Sequence, residues 1–370
     1  MSVTGDTQLR RFVDDVVIPA EPELDAGRGL ELRERAREAG LWARPLPVEL
    51  GGGGQPLAGY FAVAEDEGRS DHGPDVVGSS SLLNVRMLTA HAHPELKDEV
   101  LANLVAGRVH VSYAMTEPDV AGSDPSGLRT TAERGADGWW TVTGRKWFTS
   151  GAARADLVLV MARTGDGFSV LAVPAGGFRV ERELDVLGAG GQHEISFDAV
   201  RVPPTHLVGE PGQGLRLAGE RLALGRTLRA LRWIGQAQRC LDLLADRAVS
   251  RVLGDGVLAD RQLVQRLAFE SELEVRSARL LTRDAAALVA GGERAPVEVS
   301  LAKVAAARAL NTAVDAAIQV YGAEGLTAAT GLPRLLRVAR SARILDGADE
   351  LHVTTTGRRL LTTRRAAPNP

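Results

Sequence analysis

The spacing of apolar residues divides the chain into stretches of different texture. Up to about residue 110, short amphipathic segments such as LELRERAREAGL and PELKDEVLANLVAG alternate with Pro and Gly breaks, which predicts short helices. From about residue 111, β-branched and aromatic runs are separated by Gly, Asp and Pro turns, a pattern typical of strands. We therefore predict a helical domain over residues 1–110 and a mostly antiparallel β domain over residues 111–210.

The last stretch, residues 211–370, returns to helical spacing with longer segments. One apolar face is formed by Leu228, Leu231, Ile234, Leu241 and Leu244. A second, on a later helix, is formed by Leu301, Val304, Val314, Ile318 and Tyr321. Long Ala-rich helices joined by short turns predict an antiparallel four-helix bundle. The predicted fold class is α+β, in the order helix, sheet, helix.

Composition narrows the class of protein. The chain has 370 residues, of which 44 % are hydrophobic, and its formal net charge of −3 gives no general attraction to nucleic acid or anionic membranes. The single cysteine, Cys240, excludes an internal disulfide, and no metal site is predicted. The N-terminus lacks the apolar run of a signal peptide, and no run of about 18 apolar residues is present. We expect a cytoplasmic protein without a membrane segment.

Two segments of the β region carry residues suited to binding a flat ligand. The loop YAMTEPDVAGSD, Tyr113–Asp124, offers backbone N–H groups and short hydroxyls that can bind a heterocycle rim or phosphates. A simple turn before a strand is the alternative. In GRKWFTSGA, residues 144–152, the Phe148 ring is followed by the hydroxyls of Thr149 and Ser150, which predicts a stacking face beside hydrogen-bond partners. For Trp139, Trp140 and Trp147 we predict core positions.

Two further segments lie in the C-terminal region. QVYGAEG, residues 319–325, places Gly322 as a helix stop and Gln319 as an amide available to a ligand. RSARILDGADELHV, residues 340–353, places Asp346 before Gly347 in an apolar and basic stretch. A general base needs a carboxylate in partly dry surroundings, although an Asp-Gly pair also fits a plain turn.

The remaining histidines and the cysteine are given no chemical role. His193 and His352 are candidates by residue type alone, and we expect both to be exposed or in turns. Cys240 lies on the apolar side of a predicted helix, so we expect it in the core.

Taken together, these segments resemble the acyl-CoA dehydrogenase family, in order and over nearly the whole chain. GLWARPLPVELGGGG is similar to its N-terminal helical domain, AMTEPDVAGSD to its signature loop, and FDAVRVPPTHLVG to the exit from its β domain. QVYGAEG and ILDGADELH are similar to its two C-terminal motifs. Several motifs in register make this resemblance specific.

The resemblance implies a homotetramer or dimer of dimers, with one FAD per subunit between the β domain and the bundle. It implies that Asp346 is the catalytic base, that Gly347 lies beside it and that Arg226 packs behind the active site. Arg251 and Gln319 would act across a subunit interface. The positions implied in cofactor binding are Tyr113, Met115, Thr116, Gly122, Ser123, Phe148, Thr149, Ser150, Arg251, Leu253, Gln319, Val320, Gly322, Ala323, Ala348 and Glu350.

The implied reaction is α,β-dehydrogenation of an acyl thioester on CoA or an acyl carrier protein. Asp346 would take the α-proton while the β-hydride leaves to flavin N5, and a flavin ribityl hydroxyl and a backbone N–H near Gly347 would stabilise the enolate. A separate acceptor, such as an electron-transfer flavoprotein, would reoxidise FAD. The alternatives are a flavin monooxygenase, an FAD-binding partner subunit of a mixed dehydrogenase and a purely structural helical protein. The carboxylate at 346 and the aligned motifs favour the dehydrogenase.

Three departures from the family pattern affect these expectations. Most members carry Glu-Gly-Thr where this chain has Asp346-Gly347-Ala348, and DGADELH resembles a branch with Asp-Gly-Pro-Asp-Glu-Val-His. Leu253 replaces the aromatic residue of an Arg-x-Phe-Gly motif, which predicts weaker FAD binding. Ala223 stands near the place of a frequent acidic residue, so contacts to CoA are not transferred. The acyl chain and its carrier do not follow from the sequence.

Overall fold

The computed structural model describes residues 6–165 and 167–366. Contacts between Cα atoms divide the chain into two compact units. The helical unit comprises the described parts of Met1–Glu34, Pro56–Val76 and Ala223–Pro370, and the sheet unit those of Arg35–Gln55 and Val77–Leu222. The three domains with boundaries at 110 and 210 stay a prediction, whereas the order helix, sheet, helix is confirmed.

Helices occupy both ends of the chain, as the apolar spacing predicts. The α-helices are, in chain order, α1 (Thr7–Phe12), α2 (Glu21–Asp25), α3 (Leu30–Glu38), α4 (Leu57–Phe61), α5 (Ala64–Glu67), α6 (Gly73–Val76), α7 (Leu82–His91), α8 (Pro94–Val105), α9 (Gly214–Ser250), α10 (Gln262–Ala290), α11 (Pro296–Tyr321), α12 (Leu332–Ala342) and α13 (Asp349–Ala366). Among the described residues, none of these helices is both long and apolar enough to cross a membrane.

The sheet unit contains an eight-stranded, mostly antiparallel sheet. Its strands are β1 (Val111–Ala114), β2 (Thr131–Arg134), β3 (Trp140–Ser150), β4 (Leu157–Thr164), β5 (Gly167–Pro174), β6 (Arg179–Val186), β7 (Ala189–Val202) and β8 (Leu207–Val208). The order is β6-β7-β3-β2-β4-β5-β8, and β1 pairs with β4. Only the pairings of β1 and β2 with β4 are parallel among the described strands. β6 (RVERELDV) lies at the edge, where charged side chains discourage further pairing.

Burial alternates along β1 and part of β3, whereas β4 and β5 are buried at nearly every residue. Val142, Val158 and Ile195 are fully buried in its core. Trp140 is also buried, as predicted, but Trp139 is 38 % exposed and Trp147 is half-buried, so the core prediction is wrong for these two. Neighbouring residues of an extended chain point to opposite faces, which places the Trp139 ring outside, under the Arg201 guanidinium.

The core of the bundle comes from α9, α10, α11 and α12, and it contains the fully buried Cys240, as predicted. The apolar face predicted on α9 is buried throughout. On α11 the prediction holds for Val304 and Val314, but Leu301 is 43 % exposed. The buried face of α11 is built largely from alanines such as Ala306 and Ala313, and small side chains allow the helices to approach closely. Leu301 lies outside that face.

A buried ion pair fixes the loop between β1 and β2 against β3. The Glu117 carboxylate, 3 % exposed, accepts hydrogen bonds from the backbone N–H groups of Arg129 (2.6 Å) and Thr130 (2.9 Å). It also accepts one from Lys146 Nζ at 2.7 Å, and Nζ donates as well to the Met115 carbonyl at 2.9 Å. Burial lowers the pKa of Lys146 to about 8, although Glu117 acts in the opposite direction.

The ion pair yields a prediction about stability. Lys146→Met leaves the Glu117 carboxylate buried without its cation, which costs about 3–5 kcal/mol in comparable buried pairs. We expect a loss of that size in the free energy of unfolding, measured by urea titration and far-UV circular dichroism. The matched control is Lys97→Met at a half-exposed position on α8. Equal losses in the two variants would contradict the assignment.

The pKa of Lys146 yields a second prediction, on pH dependence. Between about pH 8 and 10.5, its ordinary value, the unfolded chain holds a proton that the folded protein has lost. Linkage then makes the free energy of unfolding rise with pH, because the penalty for burying the ammonium is complete below pH 8 and is relieved above it. The stability advantage of wild type over Lys146→Met should therefore grow between about pH 7.5 and about pH 9.5. An advantage that is constant or shrinks over this range would be the opposite result.

Candidate functional site

In the sheet unit, the loop that follows β1 is joined to β3 by a reciprocal pair of hydrogen bonds. Thr116 Oγ1 donates to the Trp147 carbonyl at 2.9 Å, and the Trp147 backbone N–H donates to the Thr116 carbonyl at 3.0 Å. With the Lys146–Met115 bond, this brings the predicted binding residues Met115 and Thr116 beside Phe148. The two segments singled out in the sequence are therefore neighbours.

A β-bulge exposes the Phe148 ring. The pairing of β3 with β7 shifts register between Lys146 and Thr149, and Phe148 has a positive φ of 48°. Its side chain is 46 % exposed and packs edge-on against Trp147, with ring centroids 5.0 Å apart. Bulges commonly redirect a side chain in this way next to binding sites. The result is an exposed aromatic ring beside the Thr116 hydroxyl.

The two hydroxyls after Phe148 differ in their surroundings. Ser150 is exposed and accepts a hydrogen bond from the Gln192 amide at 2.9 Å. Thr149 is fully buried, and its Oγ1 has no hydrogen-bond partner in the described part of the chain. A ligand could reach this oxygen only if neighbouring atoms moved. Opposite Thr149 on β7 lies His193, which is buried rather than exposed or in a turn, so that expectation is wrong.

The remaining predicted residues of the sheet unit lie in β1 and along the loop that follows it. Tyr113 is half-buried at the end of β1, with the Arg221 guanidinium 4.5 Å above its ring. Burial raises the pKa of Tyr113 to about 12, so its hydroxyl stays protonated. Gly122 and Ser123 are exposed further along the loop.

In the helical unit, Asp346 lies in the turn between α12 and α13 with a left-handed backbone, φ +56°. Its side chain is 24 % exposed, and Arg229 Nε lies 3.2 Å from Oδ2. This contact lacks hydrogen-bond geometry, and Oδ2 is buried without a hydrogen-bond partner among the described residues. Gly347 follows with φ +96°, a conformation that glycine adopts readily.

The Asp346 backbone carbonyl is bound from two sides. Arg226 Nε lies 2.8 Å from this oxygen and His352 Nε2 lies 3.1 Å from it. His352 belongs to the first turns of α13 and is 3 % exposed, so the expectation of an exposed or turn histidine is wrong here too. Its other ring nitrogen, Nδ1, faces Ser300 Oγ at 3.0 Å. The helix turns the ring inward because α13 packs against α11 on this side.

A second buried ion pair fixes the start of α13. The fully buried Lys303 on α11 donates to Asp349 Oδ1 at 2.9 Å, and Arg343 Nε donates to Oδ2 at 3.0 Å. Asp349 lies in the first turn of α13, where a carboxylate is favoured. Sequence reasoning missed Lys303, Asp349 and Arg229. The available signal was a lone lysine within the Ala-rich apolar pattern of α11.

Other predicted residues lie elsewhere on the helical unit. Ala348 is half-buried and Glu350 exposed beside Asp346. Arg251 and Leu253 are exposed at a short hairpin formed by β9 (Val252–Leu253) and β10 (Gly256–Val257), which the sequence did not predict. At the end of α11, Val320 is buried, whereas the other predicted residues, Gln319, Gly322 and Ala323, are exposed. Gly322, with φ +66°, ends the helix as predicted.

This arrangement indicates two kinds of chemistry. A carboxylate with one oxygen free of hydrogen bonds, such as that of Asp346, can accept a proton. An exposed ring such as Phe148, flanked by hydroxyls, can bind a planar heterocycle. Within residues 6–165 and 167–366, no group of three or more His, Cys, Asp or Glu side chains is placed to hold a metal ion.

Family models cover most of the chain. The acyl-CoA dehydrogenase N-terminal domain matches residues 6–108, the middle domain residues 112–200 and the C-terminal domain residues 212–361. The fold expected from the sequence is thereby confirmed.

Individual proteins of the same family are also similar to this chain over nearly its whole length. The chain is 34 % identical to "Probable acyl-CoA dehydrogenase FadE2" of Mycobacterium tuberculosis (strain ATCC 25618 / H37Rv) over 95 % of this chain and 93 % of that protein. It is 31 % identical to human "Acyl-CoA dehydrogenase family member 11" over 94 % of this chain but 48 % of that protein, so it spans about half the length of such relatives.

A solved structure of a Mycobacterium abscessus protein that bears the name acyl-CoA dehydrogenase is also similar. It superposes with a TM-score of 0.88 at 31 % identity, over 96 % of this chain and 97 % of that one. The chain therefore belongs to the acyl-CoA dehydrogenase family, whose members are FAD-binding oxidoreductases that act on CH–CH bonds.

Proposed function

We propose that this protein catalyses the FAD-dependent α,β-dehydrogenation of an acyl thioester, with Asp346 as the base that removes the α-proton. The observation that carries this proposal is the Asp346 carboxylate, which is partly buried, lies next to the cationic Arg229 and keeps one oxygen free of hydrogen bonds among the described residues. The resemblance of the ILDGADELH segment to a C-terminal motif of the family supports the same assignment.

The surroundings of Asp346 suit a base that acts on a weakly acidic C–H group. Oδ2 is buried and carries no hydrogen bond among the described residues, so it could accept a substrate proton once the neighbouring atoms, Arg229 Nε at 3.2 Å among them, make room for the substrate. Arg226 Nε donates a hydrogen bond to the backbone carbonyl of the same residue at 2.8 Å. A backbone N–H near Gly347 would donate to the developing enolate oxygen, since preorganised donors make deprotonation feasible. We propose that Arg226 packs behind the base and supports the active site.

The predicted binding residues carry groups that fit FAD. On the sheet unit, Phe148 presents an exposed aromatic ring and Ser123 and Ser150 offer exposed hydroxyls. The half-buried Thr116 donates its O–H to the Trp147 carbonyl, and its oxygen can still accept a hydrogen bond. On the helical unit, Arg251 and Gln319 are exposed and are of the types that bind pyrophosphate and the adenosine half. The flavin, when bound, would accept the β-hydride. The other residues that the resemblance implies in cofactor binding, the first of them Tyr113 and the last Glu350, are also proposed to contact FAD.

The proposal extends to partners. The substrate would be carried by CoA or an acyl carrier protein, and a separate protein such as an electron-transfer flavoprotein would accept the electrons. We infer a homo-oligomer, a dimer or a dimer of dimers, in which Arg251 and Gln319 reach the FAD of the neighbouring subunit. We also propose that the chain belongs to the branch with Asp in place of the usual Glu, because its DGADELH segment resembles the motif of that branch. A cytoplasmic location is part of the same proposal.

The base assignment predicts the behaviour of Asp346→Asn. The amide is nearly isosteric, so fold and FAD content should be kept, while the rate of flavin reduction falls by about two orders of magnitude or more. The measurement is anaerobic stopped-flow bleaching of the flavin by an acyl-CoA panel in a single turnover. Asp315→Asn, at an exposed position on α11, is the matched control and should react like wild type.

Two variants test whether Asp346 is the base and how far its carboxylate must reach. Flavin reduction at the wild-type rate in Asp346→Asn would place the base elsewhere or show a different reaction. Asp346→Glu then tests reach: if the site is shaped around the shorter carboxylate, the extra methylene lowers the rate.

The cofactor assignment predicts that the protein purifies yellow and releases FAD on heating, because Arg251 and Gln319 serve the adenosine-pyrophosphate half that FMN lacks. Chromatography of the released pigment identifies it. Arg251→Met should lower the FAD content, whereas Arg276→Met, on the exposed side of α10, should not. Release of FMN alone would contradict the assignment.

A further inference from the structure

The last residue of the DGADELH segment, His352, has no part in the function proposed so far. It is nevertheless nearly fully buried, and its Nε2 lies 3.1 Å from the backbone carbonyl oxygen of Asp346. Arg226 Nε approaches the same oxygen at 2.8 Å. Two side chains from different helices, α9 and α13, thus converge on the peptide group of the proposed base.

We propose that His352 is a positioning residue for Asp346: together with Arg226 it clamps the backbone carbonyl, holds the left-handed conformation and thereby aims the carboxylate. The inference rests on the proposed function only in naming Asp346 as the base. The clamp itself is a property of the described contacts, and it can be tested without any substrate.

The chemistry of the partners assigns the proton on the ring. A carbonyl oxygen can only accept a hydrogen bond, so Nε2 must carry the proton in this contact. In the neutral ring, Nδ1 then accepts from the Ser300 hydroxyl at 3.0 Å, and this hydroxyl no longer donates to the Pro296 carbonyl. In the charged ring, Nδ1–H donates to Ser300, whose hydroxyl donates in turn to the Pro296 carbonyl at 2.8 Å. Both states keep the Nε2–H bond to Asp346.

The surrounding charges favour the neutral ring. Burial lowers the pKa of His352, and the cationic Arg226 and Lys303 lower it further, against the contributions of the Asp346 carbonyl and Asp349. Since Nε2 remains a donor in either form, the clamp itself does not depend on titration of His352. A group that transferred the substrate proton would depend on it.

The space around Gly347 shows how closely the clamp fits. A Cβ atom at this position would lie 3.0 Å from His352 Nε2 and 3.4 Å from an Arg226 terminal nitrogen. The φ of +96° also excludes most side chains. The turn therefore has little room to change conformation while both donors are in place.

Two substitutions separate positioning from other roles. His352→Gln places an amide N–H near the position of Nε2 and can keep the bond to Asp346. His352→Asn places its amide near Nδ1, toward Ser300, and leaves the Asp346 carbonyl with Arg226 alone. We expect the rate of flavin reduction to stay within about threefold of wild type in Gln and to fall about 10- to 100-fold in Asn, because small misplacements of a reacting group have effects of this size. Substrate dissociation constant and FAD content should be unchanged in both.

Equal losses in Gln and Asn would overturn the proposal, since they would indicate proton transfer or general packing. A crystal structure of His352→Asn in which Asp346 keeps its backbone angles and carboxylate position would overturn it as well. Nitrogen-15 NMR of the wild-type ring provides a measurement that needs no variant to fold, and an unprotonated Nε2 would again refute the clamp. If none of the thioesters tested reduces the flavin of the wild-type protein, the proposed function fails. The crystal structure and the NMR measurement still decide whether the clamp exists.

Discussion

The backbone of Asp346 must be held in a left-handed conformation, and the rest of the candidate catalytic region is arranged around this requirement. A residue other than glycine in that conformation costs roughly 1–2 kcal/mol. The two hydrogen bonds to its carbonyl, from Arg226 and His352, each contribute about 1 kcal/mol by ordinary estimates. The two effects are of similar size, so losing either donor would make the left-handed conformation less favourable. Buried donors also fix the direction of the peptide group, which solvent could not do.

Each of the two compact units anchors its functional segment with a buried lysine–carboxylate pair. In the helical unit Lys303 binds Asp349 at the start of α13, and in the sheet unit Lys146 binds Glu117 in the loop after β1. Burying two charges is costly, and apolar pairs of equal volume are often at least as stable. Such a pair has a different advantage, because an unpaired buried charge is so unfavourable that alternative loop conformations are excluded. We infer that these pairs specify the loops more than they stabilise the fold.

Much of the fold could be predicted from periodicity, because apolar spacing reports burial directly. The helices α3 and α8, the strands β3 to β7 and the buried face of α9 all follow from it. Prediction failed where burial depends on partners distant in sequence. His352 and His193 are polar by composition, and their burial becomes favourable only through contacts or pairings formed in the folded chain. Trp139 and Leu301 failed for a different reason, since one residue of offset in a strand or helix changes which way a side chain points.

The backbone conformation at position 346 also limits which acidic residue can serve there as the proposed base. Asp and Asn are several-fold enriched among residues with positive φ, because their short polar side chains tolerate the left-handed region. At φ +56°, Asp346 is therefore the acidic residue that the local backbone accommodates best. A glutamate would place its carboxylate one methylene further out but would fit this backbone less well. The departure from the more frequent Glu-Gly-Thr pattern is thus consistent with the turn: a left-handed backbone, clamped at its carbonyl, favours the shorter of the two carboxylates.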